Sequence, residues 1–241
     1  QLLAEDHLGA WDARTGQYLP GFPALMNDLM FFNTPAIADV DGDGLAEVLQ
    51  GSATYDVRAY GLGARVPRGW PKFTGGWVVS TPAVGDLDGD GRVEVAVTTR
   101  EGWLFVWRTN GSACQPSEWP KNQHDLRNTG NYLTDAKAPM AVRDVQVDPT
   151  GTLSFRASGD DGACGAAAAY EVAVDGAPAI RLAADGVGAG TTLRVSLFGP
   201  GKRPHASAIT VWAVDDAGNR SVPVTLELAR PAAGRVELRT P

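Results

Sequence analysis

The sequence predicts an all-β chain in two parts, a partial β-propeller of two to three four-stranded blades followed by a β-sandwich. Three observations carry this reading. Gly and Pro number 29 and 16 among 241 residues, together about 19% against roughly 12% in ordinary chains, so turns are frequent. Apolar residues recur with period two, as in Val93, Val95 and Val97 or Trp103, Phe105 and Trp107, which is the spacing of a strand and not of a helix. The first half of the chain repeats itself, and the second half does not.

The repeat rests on landmarks that share one period. TPAIADVDGDGLAEVLQG, beginning at Thr34, returns as TPAVGDLDGDGRVEVAVT at Thr81, 47 residues later. The triplets GFP (21–23), GWP (69–71) and EWP (118–120) place their prolines 48 and then 49 residues apart. Trp11, Tyr60 and Trp107 occupy a third phase, spaced by 49 and 47. A period of roughly 40–50 residues made of several short strands is that of a propeller blade. Propellers close with about four to eight blades, more than this repeat supplies. The missing blades are therefore expected from an upstream segment of the same precursor or from another copy of the chain.

Each repeat carries a dense acidic loop, DVDGDGLAE (39–47) and DLDGDGRVE (86–94). Asp39, Asp41 and Asp43 stand at loop positions 1, 3 and 5 with Glu47 at position 9, and Asp86, Asp88, Asp90 and Glu94 repeat the arrangement. Four carboxylates within nine residues repel one another unless a cation neutralises them. Hard oxygen donors on a tightly curled loop suit Ca²⁺, which takes six to eight oxygens at roughly 2.3–2.6 Å. The backbone carbonyls of Leu45 and Arg92, at position 7, would add a ligand to each cage. Gly42, Gly44, Gly89 and Gly91 are placed to supply the positive φ that such a curl demands. An EF-hand is excluded, because position 12 is Gln50 in one loop and Val97 in the other and the flanks are strand-like. The competing reading is a pair of solvated Asp-Gly hairpin turns without metal.

These loops and their period resemble the FG-GAP (integrin α-type) repeat of calcium-binding β-propellers, in the form common in secreted microbial proteins. The resemblance covers about residues 1–133, and WPKNQHDLRNTGNY (119–132) is similar to the segment that ends such arrays. It implies two Ca²⁺ sites, one held by Asp39, Asp41, Asp43, the Leu45 carbonyl and Glu47, the other by Asp86, Asp88, Asp90, the Arg92 carbonyl and Glu94. Glu replaces the family's usual Asp at position 9, one methylene longer in reach.

After Tyr132 the composition changes, and the chain divides into blades over 1–135, a second domain over 136–230 and a tail over 231–241. Strand candidates in the second domain are RDVQVD, TLSFRAS, AAYEVAVDG, TTLRVSLF, AITVWAVD and VTLEL, separated by Gly, Pro and Asp turns. Seven or so short strands in about 90–100 residues point to an immunoglobulin-like sandwich. Their order resembles a fibronectin type III domain, with Phe155 where that family usually has a core Trp.

A net charge of −7, from 21 basic against 28 acidic residues, argues against a nucleic-acid partner. No apolar run reaches the roughly 18 residues a membrane helix needs. The opening QLLAEDHLGAWDARTG lacks a signal peptide's charged and apolar regions, so the chain is expected to be a mature or excised stretch of a longer protein. Its three histidines, His7, His124 and His205, are expected at the surface, and Trp77 and Trp119 are the tryptophans expected to be most exposed. No nucleophile–base constellation or phosphate-cradling loop is present. Cys114 and Cys164 leave open a bond between them, two free thiols, or pairing with another segment. The leading expectation is a non-catalytic, calcium-stabilised binding or adhesion region of a secreted or cell-surface protein, with a protein or carbohydrate ligand. The alternative is an accessory region of a secreted hydrolase, for example a subtilisin-like protease, whose catalytic domain lies upstream.

Overall fold

The computed structural model describes residues 5–27, 30, 33–135, 137–184, 186–197 and 206–228; the tail expected over 231–241 lies outside them. Among the described residues, sixteen strands form five antiparallel sheets, with one 3₁₀ turn at Leu62–Ala64. The chain separates into two compact units, Gln1–Ala136 and Lys137–Pro241.

The first unit holds three sheets. Strands β1 (Glu5–Leu8) and β2 (Ala24–Asn27) form one. Strands β3 (Ala36–Ala38), β4 (Glu47–Gly51), β5 (Asp56–Tyr60) and β6 (Lys72–Phe73) follow as a four-stranded meander. Strands β7 (Ala83–Gly85), β8 (Arg92–Thr98) and β9 (Leu104–Ser112) form the third sheet. Four strands per sheet, expected from the repeat, are reached only in the middle one. In the third, the chain after β9 does not turn back along it. Its EWP segment reaches the β3 and β7 strands instead, where Ile37 N–H donates to the Trp119 carbonyl at 2.8 Å and Val84 N–H to the Pro120 carbonyl at 2.7 Å.

The 47-residue period is reproduced in the pairing. Ala36, Leu49 and Ala59 face one another across β3, β4 and β5, and Ala83, Ala96 and Val106 do so across β7, β8 and β9, each 47 positions on. Ile37, Val48 and Tyr60 likewise correspond to Val84, Val95 and Trp107. Successive side chains of a strand point to opposite faces, so this register sorts each sheet into two faces. Ala36, Leu49 and Ala59 pack with Val84, Val95 and Trp107 of the third sheet. Val57 joins Val97, Phe105 and Trp107 in an adjoining cluster. The opposite face of the middle sheet, through Tyr60 and Val48, packs with Leu8, Ala24 and Met26 of the first, and the Tyr60 hydroxyl donates to the Leu25 carbonyl at 3.1 Å.

The second unit pairs β10 (Arg143–Val147), β11 (Thr152–Arg156) and β14 (Thr192–Ser196) in one sheet. The other contains β12 (Ala169–Val174), β13 (Ile180–Ala183), β15 (Ala208–Val214) and β16 (Val224–Glu227), in the order β13-β12-β15-β16. Six of these seven strands coincide with stretches that alternate in the sequence. The missed one, β13, is four residues long and largely exposed, so it lacks the buried alternation that marks the others. Both sheets contribute to one apolar core, Leu153 and Phe155 from the first and Tyr170, Val172, Ile209, Val211 and Ala213 from the second. The Phe155 and Tyr170 rings meet edge-on with centroids 4.9 Å apart. The buried Tyr170 hydroxyl accepts the Ser158 N–H at 3.0 Å, so the ring is accommodated without an unsatisfied polar tip.

Phe155 fills the centre of that core. Phe155→Ala is expected to destabilise the second unit by about 3–5 kcal/mol, the usual cost of emptying such a site, read as a lower midpoint for that unit in urea unfolding.

Candidate metal centre

The two acidic loops join β3 to β4 and β7 to β8, and they close in the same way. Asp39 Oδ1 and Oδ2 accept the N–H groups of Gly42 at 2.7 Å and Gly44 at 2.9 Å. Asp86 accepts those of Gly89 at 2.8 Å and Gly91 at 3.0 Å. Asp41 and Asp88 accept from Asp43 and Asp90, and these in turn accept from the N–H groups of Leu45 and Arg92 at 2.9 Å. Each aspartate thus winds the backbone around itself. The winding needs left-handed φ at Gly42, Gly44, Gly89 and Gly91, which lie between 77° and 88°, where a side chain would be strained.

One carboxylate oxygen from each of Asp39, Asp41 and Asp43 lies within 4.8 Å of the others, and the same holds for Asp86, Asp88 and Asp90. Each trio could hold a metal ion. Glu47 and Glu94 stand outside these groupings. Both are buried, and each clamps the second residue of its loop, Glu47 Oε2 accepting Val40 N–H at 3.0 Å and Glu94 Oε2 accepting Leu87 N–H at 2.9 Å. The other oxygen, Oε1, is buried without a hydrogen-bond partner in both residues. Leu45 and Arg92 take part through their backbone, and the Leu45 side chain is exposed.

The electrostatics are one-sided. Burial, reinforced by Asp41, Asp39 and Asp43 and opposed by the Val40 hydrogen bond, pushes the Glu47 carboxyl up to about 7. One arginine stands against the four carboxylates of each loop. The Arg65 guanidinium reaches Asp41 at 3.1 Å and Asp43 at 3.3 Å, while Arg108 pairs with Asp88, which raises the arginine's own pKa. A donor set made only of oxygen, with buried oxygens left unpaired, fits a hard divalent cation.

The remaining candidates fall elsewhere. His7 is exposed and His205 lies outside the described residues, but His124 is buried, against expectation, with Nδ1 3.7 Å from Asp125 Oδ2. Its ring meets that of Trp119 at a tilt of 56°, centroids 4.9 Å apart, in a loop organised by Asp125. Asp125 accepts the Thr129 hydroxyl and the N–H groups of Arg127 and Thr129, bonds that hold its carboxyl below the ordinary range. Lys121 Nζ satisfies the carbonyls of Asn122 and Asp125 and the Asn128 side chain. Only the Asn/Asp/Thr-rich composition of 119–132 signalled this compact loop. Trp77 and Trp119 are half-buried, and the exposed tryptophans are Trp11 and Trp103. The two cysteines, Cys114 and Cys164, are both disulfide-bonded. No protein-family model matches the chain, and neither does any curated protein.

Glu47 carries a pH prediction for the calcium-free protein. The folded chain keeps this proton up to about pH 7, whereas the unfolded chain releases it near 4.5. The native state therefore binds more protons between those values, and stability falls as pH rises through them, by about 3 kcal/mol. Urea unfolding in chelator at pH 5 and pH 7.5 should show that difference in the wild type and a flatter profile in Glu47→Gln. Equal slopes in the two proteins would disprove the assignment.

Proposed function

We propose that this chain is a calcium-stabilised, non-catalytic binding region of a larger secreted or cell-surface protein. One Ca²⁺ is held by Asp39, Asp41, Asp43, the Leu45 carbonyl and Glu47, and the other by Asp86, Asp88, Asp90, the Arg92 carbonyl and Glu94. The observation that carries the reading is the duplicated arrangement itself, an aspartate trio wound in backbone N–H groups beside a buried glutamate with an unpaired oxygen. A solvated hairpin turn requires neither the trio nor the buried glutamate. When bound, the cation supplies charge neutralisation and a fixed loop shape. The protein's own residues bind it, orient the strands that flank the loop, and keep Glu47 and Glu94 away from water.

The FG-GAP-like reading of the first unit draws support from the sheet register that repeats at 47 residues. For the second unit, two antiparallel sheets of three and four strands over one core are what a seven-stranded, fibronectin-like sandwich requires. Disulfide-bonded cysteines favour an oxidising compartment, where millimolar calcium would fill loops of modest affinity. Among the described residues no helix is long and apolar enough to cross a membrane. The ligand of the region is a protein or a carbohydrate.

Calorimetric titration is expected to count two Ca²⁺ per chain, falling to one in Asp39→Ala and one in Asp86→Ala. A chelator should lower the melting temperature, because a ligand that binds only the folded state stabilises it, by about 2.7 kcal/mol per site at a hundredfold excess over Kd. An unchanged melting curve would refute the proposal.

A further inference from the structure

We infer that Arg65 and Arg108 are built-in counter-cations of the two acidic loops, each holding aspartate oxygens that a divalent cation needs and so setting the affinity of its site. This rests on the calcium reading and goes one step beyond it, to what opposes the ion. Beside each aspartate trio, the buried and unpaired Oε1 of Glu47 or Glu94 marks a loop short of a cation.

The hydrogen bonds of the first loop divide its carboxylates. Asp41 Oδ1 accepts the Asp43 N–H at 3.2 Å, and Asp43 Oδ1 accepts the Leu45 N–H at 2.9 Å. The loop's own backbone thus leaves over Oδ2 of each residue. One group takes both, since Arg65 Nη2 lies 3.1 Å from Asp41 Oδ2 and 3.3 Å from Asp43 Oδ2. The second loop repeats the division. Asp88 Oδ1 accepts the Asp90 N–H at 3.2 Å, and Asp88 Oδ2 is held by Arg108 Nη2. A guanidinium only donates and keeps its charge, so it must release these oxygens before a cation takes them. Both arginine side chains are exposed, 55% and 74%, and release into water costs little.

The two arginines do not come from the repeat. Arg108 stands on β9 opposite Glu94. The residue 47 positions earlier is Gly61, where a Cβ would stand 3.1 Å from Glu47 Oε1. The first loop is served from beyond the Leu62–Ala64 turn instead. That turn runs through left-handed φ at Gly63 and Ala64, 70° and 54°, and the Arg65 carbonyl accepts the Gly61 N–H at 2.8 Å. The residue 47 positions after Arg65 is Ser112. Equivalent loops therefore receive an arginine on the equivalent aspartate, at loop position 3, from inequivalent places in the chain. A side chain inherited with the repeat would recur at one phase; a counter-charge demanded by the loop is free to come from any neighbour. Arg65 holds two aspartates and Arg108 one, so the first site carries the stronger brake.

Calorimetric titration with Ca²⁺ in single-site backgrounds tests this. In Asp86→Ala, which keeps the first loop, adding Arg65→Gln should tighten binding by about threefold to tenfold, and adding Arg65→Lys should tighten it less. In Asp39→Ala, which keeps the second loop, Arg108→Gln should tighten binding by about twofold to fivefold, and Arg65→Gln should leave it unchanged. Melting curves give a readout that a merely structural role would not move. Arg65→Gln should melt below its parent in chelator, where the counter-charge is lost, yet gain more on adding calcium, because a lower Kd stabilises the folded state more. Unchanged or weaker affinity in the arginine variants, with each parent binding one ion, would overturn the counter-cation role and leave the calcium reading standing. Equal tightening of both sites by Arg65→Gln would also overturn it, as an effect of net charge alone. Parents that take up no calcium would overturn both.

Discussion

The first unit is governed by one constraint: its middle sheet is apolar on both faces, so it cannot stand with only one face covered. An antiparallel sheet usually packs one face and wets the other. Here Leu49 and Ala59 on one side and Tyr60 and Val48 on the other all enter apolar clusters, and the middle sheet must be sandwiched. Register follows from this. A slip of one residue would carry Leu49 and Ala59 to the face that meets Leu8 and Met26, exchanging both interfaces at once. That two sheets 47 residues apart in sequence share every cross-strand pair from β3–β5 and β7–β9 given above is the result of packing imposed twice on one pattern.

The acidic loops answer a different problem, the concentration of negative charge at the strand ends. Backbone N–H groups take up part of it, since Asp39 and Asp86 each accept two of them. Arginines take up another part at the outer aspartates. The buried glutamates receive one hydrogen bond each and no cation of the chain's own, and Glu47 in consequence keeps its proton to about pH 7. A desolvated carboxylate without a counter-charge is costly, which makes the ninth loop position the part of the loop most sensitive to a divalent ion.

Much of this was legible in the sequence because it is local or periodic. The loop curl is written in Asp and Gly at fixed offsets, and the strands Val93–Val97 and Trp103–Trp107 in strict alternation. What escaped was set by contacts distant in sequence. His124 reads as a surface histidine until Trp119 folds over it. The EWP segment has the phase of a fourth strand, yet Trp119 and Pro120 bond to Ile37 and Val84. Strand β13 shows too little burial to announce itself. Trp11 and Trp103 belong to a strand pattern that implies burial, and they are exposed because no further sheet covers them among the described residues. The division of position 9 between clamping Val40 and offering a free oxygen was not visible either, since ligand spacing alone assigns the whole carboxylate to the metal.

The two loops, alike in sequence and hydrogen bonding, do not have equal standing in the fold. The first rests on the neighbouring sheet: a Cβ on Gly42 would come within 2.7 Å of the Asn110 carbonyl oxygen, and one on Gly111 within 2.0 Å of the Asp39 carbonyl oxygen. Asn110 N–H donates to the Val40 carbonyl at 3.3 Å across the same seam. Side chains at 42 or 111 would push the loop off β9, so glycine there is a condition of sheet-to-sheet contact. A cation in this loop therefore braces the seam between the middle and third sheets as well as the turn itself. The second loop belongs to the sheet whose Leu104 and Val106 are exposed, and a Cβ on Gly91 would meet nothing within 4 Å, where one on its counterpart Gly44 would stand 3.7 Å from the Gln115 side chain. Charge neutralisation there would stiffen the turn alone.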